Sequence, residues 1–172
     1  MIFEQRPATS EYASFYSGYV SQVPEGSVLE VLSDQQAGVR DLVRGIPEDK
    51  RDYRYAEGKW SIGDVLGHVI DTERVFGYRV LHFARGASGA IPGMDQDDFA
   101  ANAPYGQRSL SSLAAEWEML RGANLEQYGV FDEAVLNRTG TASGVLFSVR
   151  ALLFIMAGHA AHHVRVLQER YL

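Results

Sequence analysis

The chain has 172 residues, 22 acidic against 16 basic, a formal charge of −6 and no cysteine. A core burying on the order of 70% of the unfolded surface is within reach at this length, and the missing thiols exclude a disulfide scaffold, a thiolate zinc site, an iron–sulfur cluster and a cysteine nucleophile of the protein's own. A net negative chain is a poor candidate for sequence-independent nucleic-acid binding, which needs a basic surface to meet phosphates.

Hydrophobic residues make up 46% and charged residues 22%, an ordinary globular balance. One domain over residues 1–172 is expected. The opening MIFEQRPATSEY has no basic region followed by an apolar core, so no secretory signal is expected. The longest apolar stretch, around 149–161, is interrupted by Arg150 and His159 and is too short to enter a bilayer as a span. A cytoplasmic protein with no membrane partner is the expectation.

Residues 1–26 carry Tyr12, Phe15, Tyr16 and Tyr19 and end in Pro24–Glu25–Gly26. They read as a lead-in that packs its aromatics onto the body. Ser27 with Glu30 fits a capping box and opens a first helix. Its stripe is Val28, Leu32, Val39, Leu42, Val43 and Ile46, and Pro47 stops it. Ser61 with Asp64 caps a second helix, just after Trp60. Ile62, Val65, Leu66, Val69, Phe76 and Val80 form its stripe, and it ends near Arg85–Gly86. A third helix begins near Ser109 and carries Leu110, Leu113, Trp117, Leu120 and Tyr128. A fourth runs from about Ser148 to Arg170. No alternating run bounded by a hairpin turn stands out. The fold class is therefore all-α, with four principal helices.

The links set the topology. The short link between the first two helices predicts antiparallel neighbours. Residues 86–108 form a long Gly/Ala/Pro/Asp-rich connection, unusual in a compact domain. It can span a helix of roughly 37 Å at about 3.3 Å per extended residue. The second and third helices can thus run parallel, joined by a crossover along a bundle. Asp95, Asp97 and Asp98 in this loop lack the glycine and glutamate that a calcium loop requires, and read as solvated acids.

The histidines carry the chemistry. On a helical wheel, His159 and His163 fall near the middle of a stripe made by Val149, Leu152, Met156, Val166 and Leu167. His162 falls roughly 90° to the side. An i, i+4 pair of imidazoles can hold one metal ion; core histidines bonded to carbonyls are the alternative. An open metal site needs a third ligand, and His68 on the second helix is the candidate. His82, in the last turn of that helix, reads as exposed or capping. Ala160 stands where an HExxH motif has glutamate, which argues against a zincin-type protease.

Two segments carry a resemblance. Trp60–Ser61–Ile62–Gly63–Asp64–Val65–Leu66–Gly67–His68–Val69–Ile70–Asp71–Thr72–Glu73 and, far downstream, Ala157–Gly158–His159–Ala160–Ala161–His162–His163–Val164 resemble the DinB-like superfamily of four-helix-bundle metalloproteins. The resemblance covers nearly the whole chain. It implies an up-down-down-up bundle, frequent homodimers, and a divalent metal held by His68, His159 and His163. Relatives include S-transferases that use low-molecular-weight thiols and a thiol-dependent isomerase; many others are described as metal-dependent hydrolases.

Other residues receive two readings each. Glu73 either accepts from an imidazole N–H of the histidine site or makes an interhelix ion pair. Asp71 is one turn from His68 but faces solvent. Arg150 and Arg165 either steer an anionic substrate or face solvent. Three functions compete for this sequence: a metal-dependent transferase acting on a small-molecule substrate with an exogenous low-molecular-weight thiol, a metal-dependent hydrolase using metal-bound water, and a metal-stabilised or stress-related binding protein. All-nitrogen ligation suits zinc or nickel first, and iron or manganese after them.

Overall fold

A computed structural model describes residues 2–103 and 105–172. Its elements in chain order are α1 (Ser17–Val20), α2 (Val28–Arg44), α3 (Ile62–Ala84), α4 (Gln96–Asn102), α5 (Leu110–Tyr128), α6 (Glu133–Leu136), β1 (Thr139–Ala142), β2 (Val145–Ser148) and α7 (Val149–Arg170). The long helices α2, α3, α5 and α7 are the four that the hydrophobic stripes predict. No helix among the described residues is long and apolar enough to cross a membrane.

Local chemistry sets the boundaries. Ser61 accepts from the Asp64 N–H while the Asp64 carboxylate accepts from the Ser61 N–H, the reciprocal box expected of α3. Ser109 and Ser148 cap α5 and α7 through their hydroxyls. The Glu48 carboxylate also accepts from the Leu110 N–H at the positive end of α5. At α2 the expected box does not form: the Ser27 side chain makes no cap bond, and the Val28 N–H donates instead to the Phe3 carbonyl of the lead-in.

Four helices surround one core in the order α2, α5, α3, α7. Directions follow from side-chain pairs. Gln36 meets Glu118 and Leu32 meets Arg121, so α2 and α5 are antiparallel. Arg74 pairs with Glu116, and the Asn124 amide stands beside Gly77 three residues further on, so α3 and α5 are parallel. His68 meets His159 and Trp60 meets Tyr171, so α3 and α7 are antiparallel. The result is up-down-down-up, with the crossover joining parallel helices. One expectation fails: α2 and α3 are antiparallel but not neighbours. They lie on a diagonal, separated by α5 and α7.

The sequence reading also missed a hairpin. Strands β1 and β2 pair antiparallel across Ser143 and Gly144, whose φ values of 54° and 73° make the primed two-residue turn that suits strand twist. Ile91 joins the hairpin as an isolated parallel bridge to Ala142, which ties the crossover down. The crossover is ordered further by α4, whose cap is Asp95: its carboxylate accepts from the Asp97 and Asp98 N–H groups. The lead-in packs as expected, with Tyr12, Val20 and Val23 buried, although Phe15 stays 77% exposed.

The N-terminal half of α7 is buried on every side from Val149 to Ala160. Such a helix must be apolar all round or satisfy its polar groups internally. Arg150, expected at the surface, is buried in this stretch. Arg165, beyond it, is exposed.

A polar layer divides two apolar clusters at mid-bundle. Arg121 is fully buried and makes a two-point pair with Glu73, Nε to Oε1 at 2.8 Å and NH2 to Oε2 at 2.9 Å. Its guanidinium lies over the Trp117 ring at 4.5 Å. Arg121 also donates to the Leu32 carbonyl and to Gln35 Oε1, while Gln35 Nε2 donates to the Ala157 carbonyl at 2.8 Å. One chain of bonds thus joins all four helices. Replacing Arg121 by alanine strands a buried carboxylate, and urea unfolding is expected to show a loss of about 3–5 kcal/mol. The double variant Glu73→Leu/Arg121→Met, which removes both charges, is expected to recover most of that loss.

Candidate metal centre

His68 sits on α3 two turns after its cap, and His159 and His163 sit one turn apart on α7. Antiparallel packing of the two helices brings the three rings together. Their ligand nitrogens all lie within 4.8 Å of one another. His68 Nε2 and His159 Nε2 are 3.0 Å apart. Ligands 2.0–2.1 Å from a tetrahedral ion stand about 3.3 Å apart, so the spacing fits one ion with little movement of the rings.

Burial keeps the rings neutral. Burial, opposed by the charge of Asp97, pushes His68 down to about 4. Burial and the neighbouring His68 push His163 down to about 3. His159 is held well below the ordinary histidine range, first by burial and then by His163. Neutral imidazole is the form that ligates a metal. His163 Nδ1 is buried with no hydrogen-bond partner, beside the rings of His68 and His159.

Surrounding residues shape the cluster. The Trp60 ring packs on His68 at 4.8 Å between centroids, and Tyr19 presents its edge to His159 at 5.5 Å. Tyr19 reaches the cluster because residue 158 is glycine: a Cβ there would stand 2.0 Å from the Tyr19 carbonyl oxygen. A Cβ on Gly67 would likewise meet the Tyr105 ring at 2.2 Å, where the crossover is seated against α3. Tyr105 also hydrogen-bonds Asp71, which is half-buried and held there, not turned to open solvent.

Two cavities reach the histidines. The first, about 280 Å³, is lined by His68 and His159 together with Tyr16, Tyr19, Thr72 and Arg79. The second, about 460 Å³, is lined by His163 and His162 together with Lys59, Trp60 and Asp97. Gln96, the first residue of α4, lines both.

The remaining expectations divide. His162 stands half-buried outside the cluster, its Nδ1 3.4 Å from the Arg165 guanidinium. His82 is half-buried near Tyr78 and Phe83, away from the triad. Glu73 is not an imidazole acceptor: Arg121 and Asn124 occupy its carboxylate, so the ion-pair reading holds. Arg79, Thr72 and Ser143 went unnoticed in the sequence. The signal for Arg79 and Thr72 was their place on the His68 side of α3, and for Ser143 the Ser–Gly turn.

Known proteins bear on this geometry as follows. No curated protein matches the chain. Among solved structures, YfiT from Bacillus subtilis, described as a probable metal-dependent hydrolase with an unusual four-helix bundle topology, superposes with a TM-score of 0.72 at 16% identity, covering 96% of this chain and 91% of that one. At that identity the likeness concerns the fold.

Elemental analysis of purified variants tests the triad. His68→Ala, His159→Ala and His163→Ala are each expected to lose the divalent metal, and His162→Ala to keep it. Gly158→Ala is expected to lower the melting temperature and weaken metal retention, because the Tyr19 backbone must move.

The DinB superfamily model matches residues 32–167, so the chain belongs to the DinB superfamily.

Proposed function

We propose that this protein is a metal-dependent transferase that joins an exogenous low-molecular-weight thiol to a small electrophilic substrate. The observation that carries this reading is the pair of cavities meeting at the triad, since two approaches to one centre let two substrates reach it together. A divalent ion held by His68, His159 and His163 would supply Lewis acidity and keep a coordinated thiol ionised below its free pKa of about 8.5.

The chain's residues do the rest. Neutral imidazoles bring no negative charge to the centre, which leaves an anionic ligand favoured there. No protein thiol competes, because the chain has no cysteine. No carboxylate lines the first cavity among the described residues, and its two histidines, His68 and His159, would be engaged by the metal. A thiol, which ionises far more readily than water, suits such a site. The second cavity, where Lys59, Asp97 and His162 stand among Tyr55, Trp60 and Tyr171, offers charged partners of both signs to a thiol, and the first cavity, walled by Tyr16, Tyr19 and Phe76, would take the electrophile. Sulfur forms the new bond to carbon, the leaving group departs with its electron pair, and the thiol proton passes to solvent.

Hydrolysis is the second reading, and Asp97 favours it. Its charge acts on His68, and it lines the second cavity where a water could be activated. The shared fold with YfiT, described as a probable metal-dependent hydrolase, points the same way.

The test incubates metal-loaded protein with an electrophilic acceptor and a panel of small thiols that includes sugar thiols. Turnover is expected to require both metal and thiol. Ester or amide cleavage that is metal-dependent and indifferent to thiol would replace the transferase by the hydrolase. Silence in both assays would favour a binding protein.

A further inference from the structure

The first cavity holds a charge that the triad does not use. Arg79 lies on α3 eleven residues after His68, about 16 Å along the axis and within about 20° of the same face. A long helical side chain leans back toward the N-terminus, here toward the histidines. Thr72 lies between the two, one turn after His68. All three line the same cavity.

Arg79 is 3% exposed. Its NH2 donates to Ser143 Oγ at 2.9 Å, and its guanidinium lies over the Phe76 and Phe147 rings at 5.1 and 5.8 Å. Among the described residues no carboxylate pairs with it, and its Nε is buried without a partner. Thr72 Oγ1, on the same wall, is a second buried atom without a partner. A guanidinium is always charged. A buried charge needs a counter-charge, and buried donors need acceptors. Arg121 has its carboxylate in Glu73, and Arg150, buried with two guanidinium nitrogens unpartnered, lines neither cavity at the triad; Arg79 lines the first cavity and has only a hydroxyl and two ring faces.

We propose that Arg79 and Thr72 bind the carboxylate of a small substrate whose reactive end sits at the histidine triad, with an apolar or aromatic body between. Two unmet donors match the two oxygens of a carboxylate. A dianionic phosphate would call for further bases, and the cavity has no other. Tyr16, Tyr19, Val75, Phe76 and Met94 supply apolar walls for the body. The volume of about 280 Å³ lies at the small end of ligand sites. The hairpin missed in the sequence has a role here, since its turn residue Ser143 holds the guanidinium in place. The inference deepens the proposed function and rests on it for the reacting end alone; the carboxylate contact needs no metal.

Calorimetric titration of metal-free and zinc-loaded protein with phenylacetate and 3-phenylpropionate, each against its primary amide, tests this. At least one acid is expected to bind the metal-free protein, and its amide to bind about tenfold or more weakly. R79M is expected to lose the same factor for the acid and not for the amide, and Thr72→Val a smaller one. R79K keeps the charge without the planar donors and is expected to bind with intermediate affinity, which keeps the assignment testable if R79M does not fold. R79M is also expected to take up zinc as the wild type does, so a failed metal reading shows in elemental analysis and a failed anion reading in titration. Equal binding of acid and amide, binding unchanged in R79M, or no acid bound by the metal-free wild type at millimolar concentration overturns the proposal.

Discussion

Everything in this bundle is referenced to one buried chain of hydrogen bonds. Glu73 on α3 is held by Arg121 on α5, Arg121 by Gln35 on α2, and Gln35 by the Ala157 carbonyl on α7. Apolar contacts alone tolerate sliding of one helix past another by small steps. A buried two-point ion pair does not, because any slip leaves charge unpaired in a medium of low dielectric. The layer therefore fixes the height of all four helices. Its last link, at Ala157, is two residues before His159, and its first, at Glu73, is five residues after His68. Two imidazoles on different helices, His68 and His159, meet within hydrogen-bonding distance because this layer sets their level.

The second constraint is the absence of side chains at two glycines. Gly158 admits the backbone of α1 against α7, and Gly67 admits the Tyr105 ring against α3. Both stand next to a histidine of the cluster in sequence. The lead-in and the crossover thus close on the site from separate directions, and each supplies walls to it: Tyr16 and Tyr19 from one, Met94 and Gln96 from the other. Segments outside the four long helices are built into the cavity.

What the sequence disclosed follows from the range of each signal. Helical stripes and the Ser61–Asp64 box are local, and they located α3 and the other long helices closely. The three clustered histidines were legible because His159 and His163 lie one turn apart in an apolar stripe, and because the length of residues 86–108 allowed a crossover. The diagonal placement of α2 and α3 was not legible, since loop length limits reach and not the choice between side and diagonal. Glu73 alone cannot show that its partner is Arg121, 48 residues away. Arg150 read as exposed because a wheel gives one buried face, whereas β2, α1 and α3 cover this helix on several. The hairpin was missed because four-residue strands give almost no periodicity; the Ser143–Gly144 turn was its only strong mark.

The charge distribution follows from the same economy of parts. The chain is −6 overall, yet the cavity beside the triad contains an arginine and no carboxylate among its described residues. Acids elsewhere have structural work: Asp64 and Asp95 cap helices, Glu48 sits at a helix N-terminus, and Glu73 is paired. Three imidazoles kept neutral by burial add no negative charge. A low-dielectric pocket with one uncompensated cation focuses field on whatever enters, and within so negative a surface it stands out as the place where an anion is favoured. The protein brings neither a thiol nor a carboxylate to that pocket among its described residues. Its contribution is to place three neutral imidazoles, one fixed cation and a set of aromatic walls at defined heights along α3 and α7.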